Sequence, residues 1–157
     1  MNWDVETSRM RPNPQGIAFY HSLIDELTSN GIALILTIYH WDLPIELHTQ
    51  RIVGHYVDKV DYWSTFNEPL SFTAGGYALG MGAPGYTGSL TQVYTATHNV
   101  LISRAQAVQK FRELKGSVIE NTAQIGIGLN ADYAYPLDPP SSDDVAAALR
   151  KMEFDVG

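Results

Sequence analysis

The stretch Val60-Asp61-Tyr62-Trp63-Ser64-Thr65-Phe66-Asn67-Glu68-Pro69 decides the fold of this chain. Its valine, threonine and aromatic residues favour an extended, half-buried backbone, so the stretch predicts a β-strand. Pro69 favours extended geometry at Glu68 and has no N–H with which to continue the strand pairing. The strand is therefore predicted to end with Asn67 and Glu68.

A carboxylic acid at the end of a strand has two interpretations. In a barrel of parallel strands, catalytic side chains lie at the carboxyl ends of the strands, where Glu68 could act as a proton donor. The other interpretation is a solvated turn, because a three-residue match such as Asn-Glu-Pro recurs by chance. Other motifs in the chain are needed to distinguish these two interpretations.

A second strand is predicted from Ile32 to Ile38, an almost unbroken apolar run typical of a strand buried in a parallel sheet. His40 and Trp41 follow it. Their ring N–H groups and the flat indole face suit a sugar, which has hydroxyl edges and a C–H face. A structural histidine and a packed tryptophan are the alternative, because buried polar groups usually find partners within the protein.

Helical spacing of apolar residues predicts helices over about 16–29 and 90–114, and a serine-aspartate cap predicts a last helix from 141 or 142 to about 152. On the second helix, Arg104 falls on the edge of the apolar stripe, where an arginine can bury its stem and direct its guanidinium outward. Residues 125–130 predict another strand whose glycines allow close approach of neighbouring backbone. It ends at Asn130, either a residue of the site rim or a loop cap.

The segment from 71 to 89 is rich in glycine and aromatic residues and predicts a long loop. Loops that follow barrel strands form the rim of the active site. Phe72, Tyr77 and Tyr86 are therefore candidate walls of that site. The glycines lack the spacing of a phosphate-binding loop, which argues against nucleotide binding.

Composition excludes several classes of partner. The chain has 157 residues, a formal net charge of −7 and no cysteine, whereas a complete eight-stranded barrel takes about 250 residues. The acidic balance argues against nucleic acid and membrane partners, and the histidines lack metal-ligand spacing. We expect no metal and no cofactor. With no basic leader or ~20-residue apolar span, a soluble chain is expected, and its compartment is unknown.

Three motifs in a fixed order resemble family 1 of the glycoside hydrolases, the β-glucosidase family. They are Tyr39-His40-Trp41-Asp42-Leu43-Pro44, then Trp63 to Pro69, then Ala83-Pro84-Gly85. The resemblance implies an α/β fold, a partial (β/α)8 TIM barrel over residues 1–157. It would hold about four βα units, from the family's second strand to its fifth helix. Connections near residue 14 and between 45 and 59 are shorter than the family's, as if segments were deleted.

The resemblance also implies roles for individual residues. Glu68 would be the general acid/base of a retaining glycosidase, and Asn67 would bind the 2-hydroxyl of the sugar. His40 and Trp41 would line the subsite of the non-reducing sugar. Arg9, where the family has an arginine after a strand, would position the nucleophilic carboxylate; a surface arginine at a frayed terminus is the alternative.

The family's nucleophile has no counterpart here. It is the glutamate of a Thr-Glu-Asn-Gly-type motif, which this sequence lacks, and Glu120-Asn121-Thr122 only echoes it from a predicted loop. The predicted activity is hydrolysis of a small β-glycoside, with the isolated chain inactive or nearly so. A non-catalytic carbohydrate-binding remnant and a truncated inactive fragment remain alternatives. Association with a chain that carries the complementary half-barrel is a further possibility.

Overall fold

The computed structural model describes residues 2–4, 9–41, 49–116 and 122–156. Within these residues the elements, in chain order, are β1 Asn2–Asp4, β2 Arg9–Arg11, α1 Pro14–Ser29, β3 Ile35–Tyr39, α2 Thr49–Tyr56, β4 Tyr62–Asn67, α3 Pro69–Tyr77, α4 Leu90–Gly116, β5 Gln124–Gly128 and α5 Ser142–Val156.

Strands β3, β4 and β5 form a parallel sheet with β4 in the centre. Cross-strand rows alternate between its two faces, as the two-residue period of a strand requires. The row Leu36, Trp63 and Ile125 belongs to or packs against the hydrophobic core. The preceding row starts with Ile35, which is 74% exposed, and Tyr62 beside it is also exposed. One face is therefore covered by helices, and the other is open at its amino-terminal end, where Ile35 and Tyr62 are exposed.

The open face shows how much of a barrel is present. In a closed (β/α)8 barrel that face is filled by side chains of the surrounding strands. The described part of this chain is a partial α/β fold with three parallel strands and no closed barrel. The predicted partial barrel is thus confirmed as a partial α/β unit, but with fewer parallel strands than predicted.

The difference lies at the N-terminus, where the family's second strand was expected. β1 and β2 instead pair with each other as an antiparallel two-stranded sheet, separate from the parallel one. A strand inside a parallel sheet needs a nearly continuous apolar run. Asp4 and Glu6 interrupt that run in this sequence, which accounts for the loss of the predicted strand from the sheet.

The core lies between the sheet and helices α1, α2 and α4. Its centre is the contact of Trp63 with Phe111, whose ring centroids are 6.0 Å apart in an edge-to-face arrangement. Val53 of α2 and Ile24 of α1 are buried in the same cluster. Ile38 of β3 also belongs to the cluster, so five elements contribute buried side chains and none of them buries its apolar face alone.

Helices α1 and α4 confirm the periodic pattern, and α5 confirms the helix predicted from the serine-aspartate cap, with boundaries that differ by a few residues. The segment after Glu68 does not, because the predicted loop begins with helix α3 over Pro69–Tyr77. Proline at the first helical position is compatible with a helix start, since its missing N–H would be unpaired there anyway. Thr73 and Gly76 are buried on this helix, so tertiary packing offsets the weak helix propensity of its two glycines.

None of the helices in the described residues is long and apolar enough to cross a membrane.

Candidate active site

Three strand ends meet at the carboxyl edge of the parallel sheet. Tyr39 of β3 pairs with Phe66 of β4, and Asn67 of β4 pairs with Gly128 of β5. The residues that follow these strands therefore lie at one edge. Sequence-predicted site residues from three separate segments, His40 and Trp41, Asn67 and Glu68, and Asn130, all follow or end one of these strands.

The backbone of Glu68 has an uncommon conformation. Its φ and ψ are 49° and 61°, in the left-handed region, and not the extended geometry predicted from Pro69. Such a conformation costs about 1–3 kcal/mol in a non-glycine residue. The Glu68 N–H donates to the Gly128 carbonyl oxygen at 2.8 Å, and α3 begins at the next residue. These two constraints overcome the proline preference and fix the direction in which the side chain leaves the sheet.

Gly128 of β5 pairs with Asn67 at the end of β4. A Cβ atom built there would lie 3.4 Å from the Phe66 carbonyl oxygen and 3.5 Å from Asn67 Oδ1. The Gly128 N–H donates to Ser64 Oγ at 3.0 Å, beside an irregularity in the β4–β5 register. A methyl group at these distances would make ordinary van der Waals contact, so the geometry at Gly128 does not by itself require glycine.

The Glu68 carboxylate is partly buried and accepts a hydrogen bond from the hydroxyl of Ser71, with 3.2 Å between Oγ and Oε2. Asn130 Nδ2 in turn donates to Ser71 Oγ at 3.0 Å. Asn130 thus contacts the site rather than only capping its own loop. Sequence reasoning missed Ser71 because residues 71–89 were expected to be a loop. The available signal was its i+3 spacing from Glu68 at a helix start.

Trp41 links the ends of β3 and β4. Its indole N–H donates to the Asn67 carbonyl oxygen at 2.9 Å, and its φ of 72° places it in the left-handed region. The side chain remains 52% exposed, so the ring is accessible while the N–H has a partner within the protein. His40, next to it, is exposed. The structure thus presents an accessible aromatic face beside Asn67, with His40 exposed at the preceding position.

An aromatic cluster supports this edge from the open side of the sheet. The rings of Tyr39, Phe66 and Phe72 have centroid separations of 5.1–6.2 Å. Phe72 belongs to α3, so the cluster joins β3, β4 and α3. The rings of Tyr77 and Tyr86, the other two predicted wall residues, contact each other with their centroids 5.9 Å apart.

Arg104 directs its guanidinium toward the sheet and not outward into solvent. Its Nη1 donates to Thr65 Oγ1 at 3.1 Å and to the Gly126 carbonyl oxygen at 3.0 Å. Thr65 is buried, and Gly126 belongs to β5. The arginine therefore connects α4 to the middle and edge strands. Thr65 Oγ1 itself donates to the Gly126 carbonyl oxygen at 3.0 Å, so the guanidinium joins a polar pair that already links β4 and β5.

The remaining predicted residues are not brought to this edge by the described structure. Arg9 begins β2, and only its backbone is described, so its contact with a nucleophile stays a prediction. Glu120 and Asn121, the echo of the nucleophile motif, lie outside the described residues, as do Asp42 to Pro44 of the first motif.

Comparison with known proteins places these features in a family. The sequence profile of Glycosyl hydrolase family 1 matches residues 6–157, nearly the whole chain. The chain belongs to this family. The resemblance carried by the three sequence motifs is thereby confirmed.

Plant enzymes are among its relatives. Beta-glucosidase 33 of Arabidopsis thaliana is 35% identical over 174 residues, which cover 92% of this chain and 28% of that protein. The non-cyanogenic beta-glucosidase of Trifolium repens is also 35% identical, with 92% of this chain and 34% of that protein covered. Since the aligned stretch of 174 residues exceeds the 157 residues of this family 1 chain, the comparison fits the predicted internal deletions.

Solved structures show the same relationship. The family 1 β-glucosidase from Thermotoga maritima, in complex with isofagomine lactam, matches with a TM-score of 0.74 and 31% identity. The match covers 93% of this chain and 35% of that enzyme. The family 1 chain described here spans about a third of the length of the relatives it matches.

Proposed function

We propose that this chain carries the acid/base part of a retaining β-glucosidase site, with Glu68 as the general acid/base. The observation that supports this most strongly is the position of Glu68. Its carboxylate lies at the carboxyl edge of a parallel sheet, partly buried and hydrogen-bonded, in a chain of a glycoside hydrolase family. In a retaining enzyme one carboxylic acid protonates the leaving oxygen and later activates water.

The neighbouring side chains fit a bound sugar. Asn67 stands next to Glu68, and we propose that its amide binds the 2-hydroxyl, a contact that strengthens in the transition state. Trp41 offers an accessible ring face for the C–H face of the sugar, and His40 offers ring nitrogens for its hydroxyls. In this proposal Arg9 positions the nucleophilic carboxylate.

The second carboxyl group has to come from elsewhere. A retaining site needs two carboxyl groups about 5–5.5 Å apart, and the motif that supplies the family's nucleophile is absent from this sequence. We therefore expect no turnover of an aryl β-glucoside by the isolated chain. Turnover that Glu68→Gln abolishes would contradict this expectation, because the chain would then hold a working second carboxylate.

A chimera tests the role of Glu68 directly. The chain would replace the matching third of the Thermotoga maritima β-glucosidase, so that the rest of that enzyme supplies the remaining barrel. In the folded chimera, Glu68→Gln should lower kcat/KM for phenyl β-glucoside by roughly 10²–10⁴, the contribution of general acid catalysis. With 2,4-dinitrophenyl β-glucoside, whose leaving group needs no proton, kcat/KM should change little.

The matched control is Glu113→Gln, which alters an exposed glutamate on α4. It should leave kcat/KM unchanged for both substrates. Equal losses from the two variants, or an equal loss with both leaving groups, would refute the acid/base role.

One observation favours a second candidate, a carbohydrate-binding remnant. The ring of Trp41 is accessible while its N–H is bound within the protein, as in a surface that stacks on a sugar without acting on it. Saturable glucose binding by the isolated chain that survives Glu68→Ala, with no turnover in the chimera, would support this candidate.

A further inference from the structure

We propose that Ser71 and Asn130 are positioning residues that hold the Glu68 carboxyl group and select which of its oxygens carries the catalytic proton. The inference rests on the proposed function, because it assigns the proton of the acid/base Glu68 to one of the two carboxyl oxygens. It is drawn from the hydrogen bonds that join α3 and the segment after β5 at this edge.

The direction of the hydrogen bonds is set by the donors available. Asn130 Nδ2 has only protons to give, so Ser71 Oγ accepts from it. A serine hydroxyl has one proton, which Ser71 donates to Glu68 Oε2. Asn130 thereby orients the hydroxyl of Ser71, and Ser71 holds one oxygen of Glu68. The carboxyl group is thus restrained, through Ser71, by a residue that lies 59 positions after Ser71 in the sequence.

The same segment restrains the backbone of Glu68. The Gly128 carbonyl oxygen accepts from the Glu68 N–H at 2.8 Å, two residues before Asn130. The end of β5 therefore holds Glu68 at its backbone directly and at its carboxyl group through Ser71. Two such restraints offset the unfavourable left-handed backbone and leave the side chain little freedom to turn.

The restraint has a chemical consequence. Oε2 accepts the proton of Ser71, so in the neutral acid the proton of Glu68 belongs on Oε1. Oε1 is then the atom that delivers this proton to the leaving oxygen as the glycosidic bond breaks. After transfer, both oxygens are acceptors and Ser71 still donates to Oε2. The hydrogen-bond pattern therefore supports the acid and the base steps without rearrangement.

The linkage can be measured on the whole chain without any turnover. In a ¹⁵N-labelled sample the side-chain amide of Asn130 reports whether it is bound to Ser71. Ser71→Ala should move this resonance to the position of a solvent-exposed amide, and Ser71→Thr should restore it. Glu68→Gln should also move it, because removal of the charge weakens the polarisation of the hydroxyl between them.

The deciding comparison is the effect of Glu68→Gln on the Asn130 resonance with and without the additional substitution Ser71→Ala. With Ser71 present the Asn130 resonance should shift; with alanine at 71 the same substitution should have no effect. Ser29→Ala is the matched control, since Ser29 makes an exposed hydroxyl contact at the end of α1. The side-chain amide of Gln109, which donates to Glu113, should not move in any variant.

Two results would overturn the proposal in a sample with a folded, dispersed spectrum. One is an Asn130 resonance that ignores Ser71→Ala. The other is an equal response to Glu68→Gln with and without Ser71, which would mean that the charge acts through space. Either result is independent of the chimera, so a failure of this linkage is distinguishable from a failure of the acid/base assignment.

Discussion

Two adjacent glycines of α3 should respond in opposite directions to the same substitution. A Cβ added at Gly76 would lie 2.4 Å from the Ala83 carbonyl oxygen and 3.2 Å from Pro84 Cδ, whereas a Cβ at Gly75 would meet nothing within 4 Å. Both positions lie in the helix that begins directly after Glu68. The pair therefore separates intrinsic helix propensity from packing.

The magnitudes follow from that geometry. Gly75→Ala should raise the free energy of unfolding by about 0.5–1 kcal/mol, because alanine loses less backbone entropy in a helix than glycine. Gly76→Ala should lower it by about 1–3 kcal/mol, because the 81–86 segment has to move away from the helix to admit the methyl group. The two variants should thus differ by about 1.5–4 kcal/mol from the same chemical change.

Urea unfolding followed by tryptophan fluorescence measures both variants, with Trp63 in the core as a reporter. The midpoint should move in opposite directions at an unchanged slope, since a changed slope would indicate a different denatured or native state. A Gly76→Ala variant as stable as the unmodified chain would refute the close packing of α3 against this segment. A destabilised Gly75→Ala variant would refute the open space beside it.

Three further perturbations test other parts of the structure. Phe111→Ala should lower the free energy of unfolding in urea by about 3–5 kcal/mol, because the Phe111 ring is only 2% exposed. Phe154→Ala should hardly change it, because the Phe154 ring is 89% exposed. Equal losses from the two variants would contradict the position of Phe111 in the core. Burial first, and a neighbouring tyrosine second, raise the pKa of Tyr56, so stability present below pH 10 should fall as pH rises further. Tyr56→Phe should make the loss of stability above pH 10 smaller in unfolding curves recorded at increasing pH. A loss as large as in the unmodified chain would contradict the raised pKa of Tyr56. Arg104→Ala should cost about 1.5–3 kcal/mol, because a charged donor to β4 and β5 is lost. Arg112→Ala, at an exposed arginine of the same helix, should stay within about 0.5 kcal/mol, and equal effects would argue against the sheet contact.

Much of the fold was predictable because its signals are local. The strand that ends at Asn67 and the helices around 16–29 and 90–114 follow from the two-residue and 3.6-residue spacing of apolar side chains. These spacings depend only on the backbone geometry of the element itself. The motif order supplied the family in the same way, since each motif is a short contiguous run of the sequence.

Contacts between distant residues were the part that could not be read locally. The left-handed backbone of Glu68 depends on a carbonyl oxygen of β5, and the hydrogen bond from Ser71 depends on a helix where a loop was expected. The inward direction of Arg104 depends on polar atoms of two strands. On α4 the apolar stripe was visible, yet Phe111 is buried while Leu101 is exposed, because only part of that stripe has the sheet beneath it.

The sequence by itself determined that this is a family 1 chain, that a strand ends directly before a glutamate, and that the family's nucleophile motif is missing. Local backbone preferences and short motifs are sufficient for those conclusions. Only the tertiary structure decided that the parallel sheet has three strands and an open face, and that Ser71 and Asn130 hold Glu68. Those features arise from hydrogen bonds and packing between segments far apart in the chain, which no local pattern encodes.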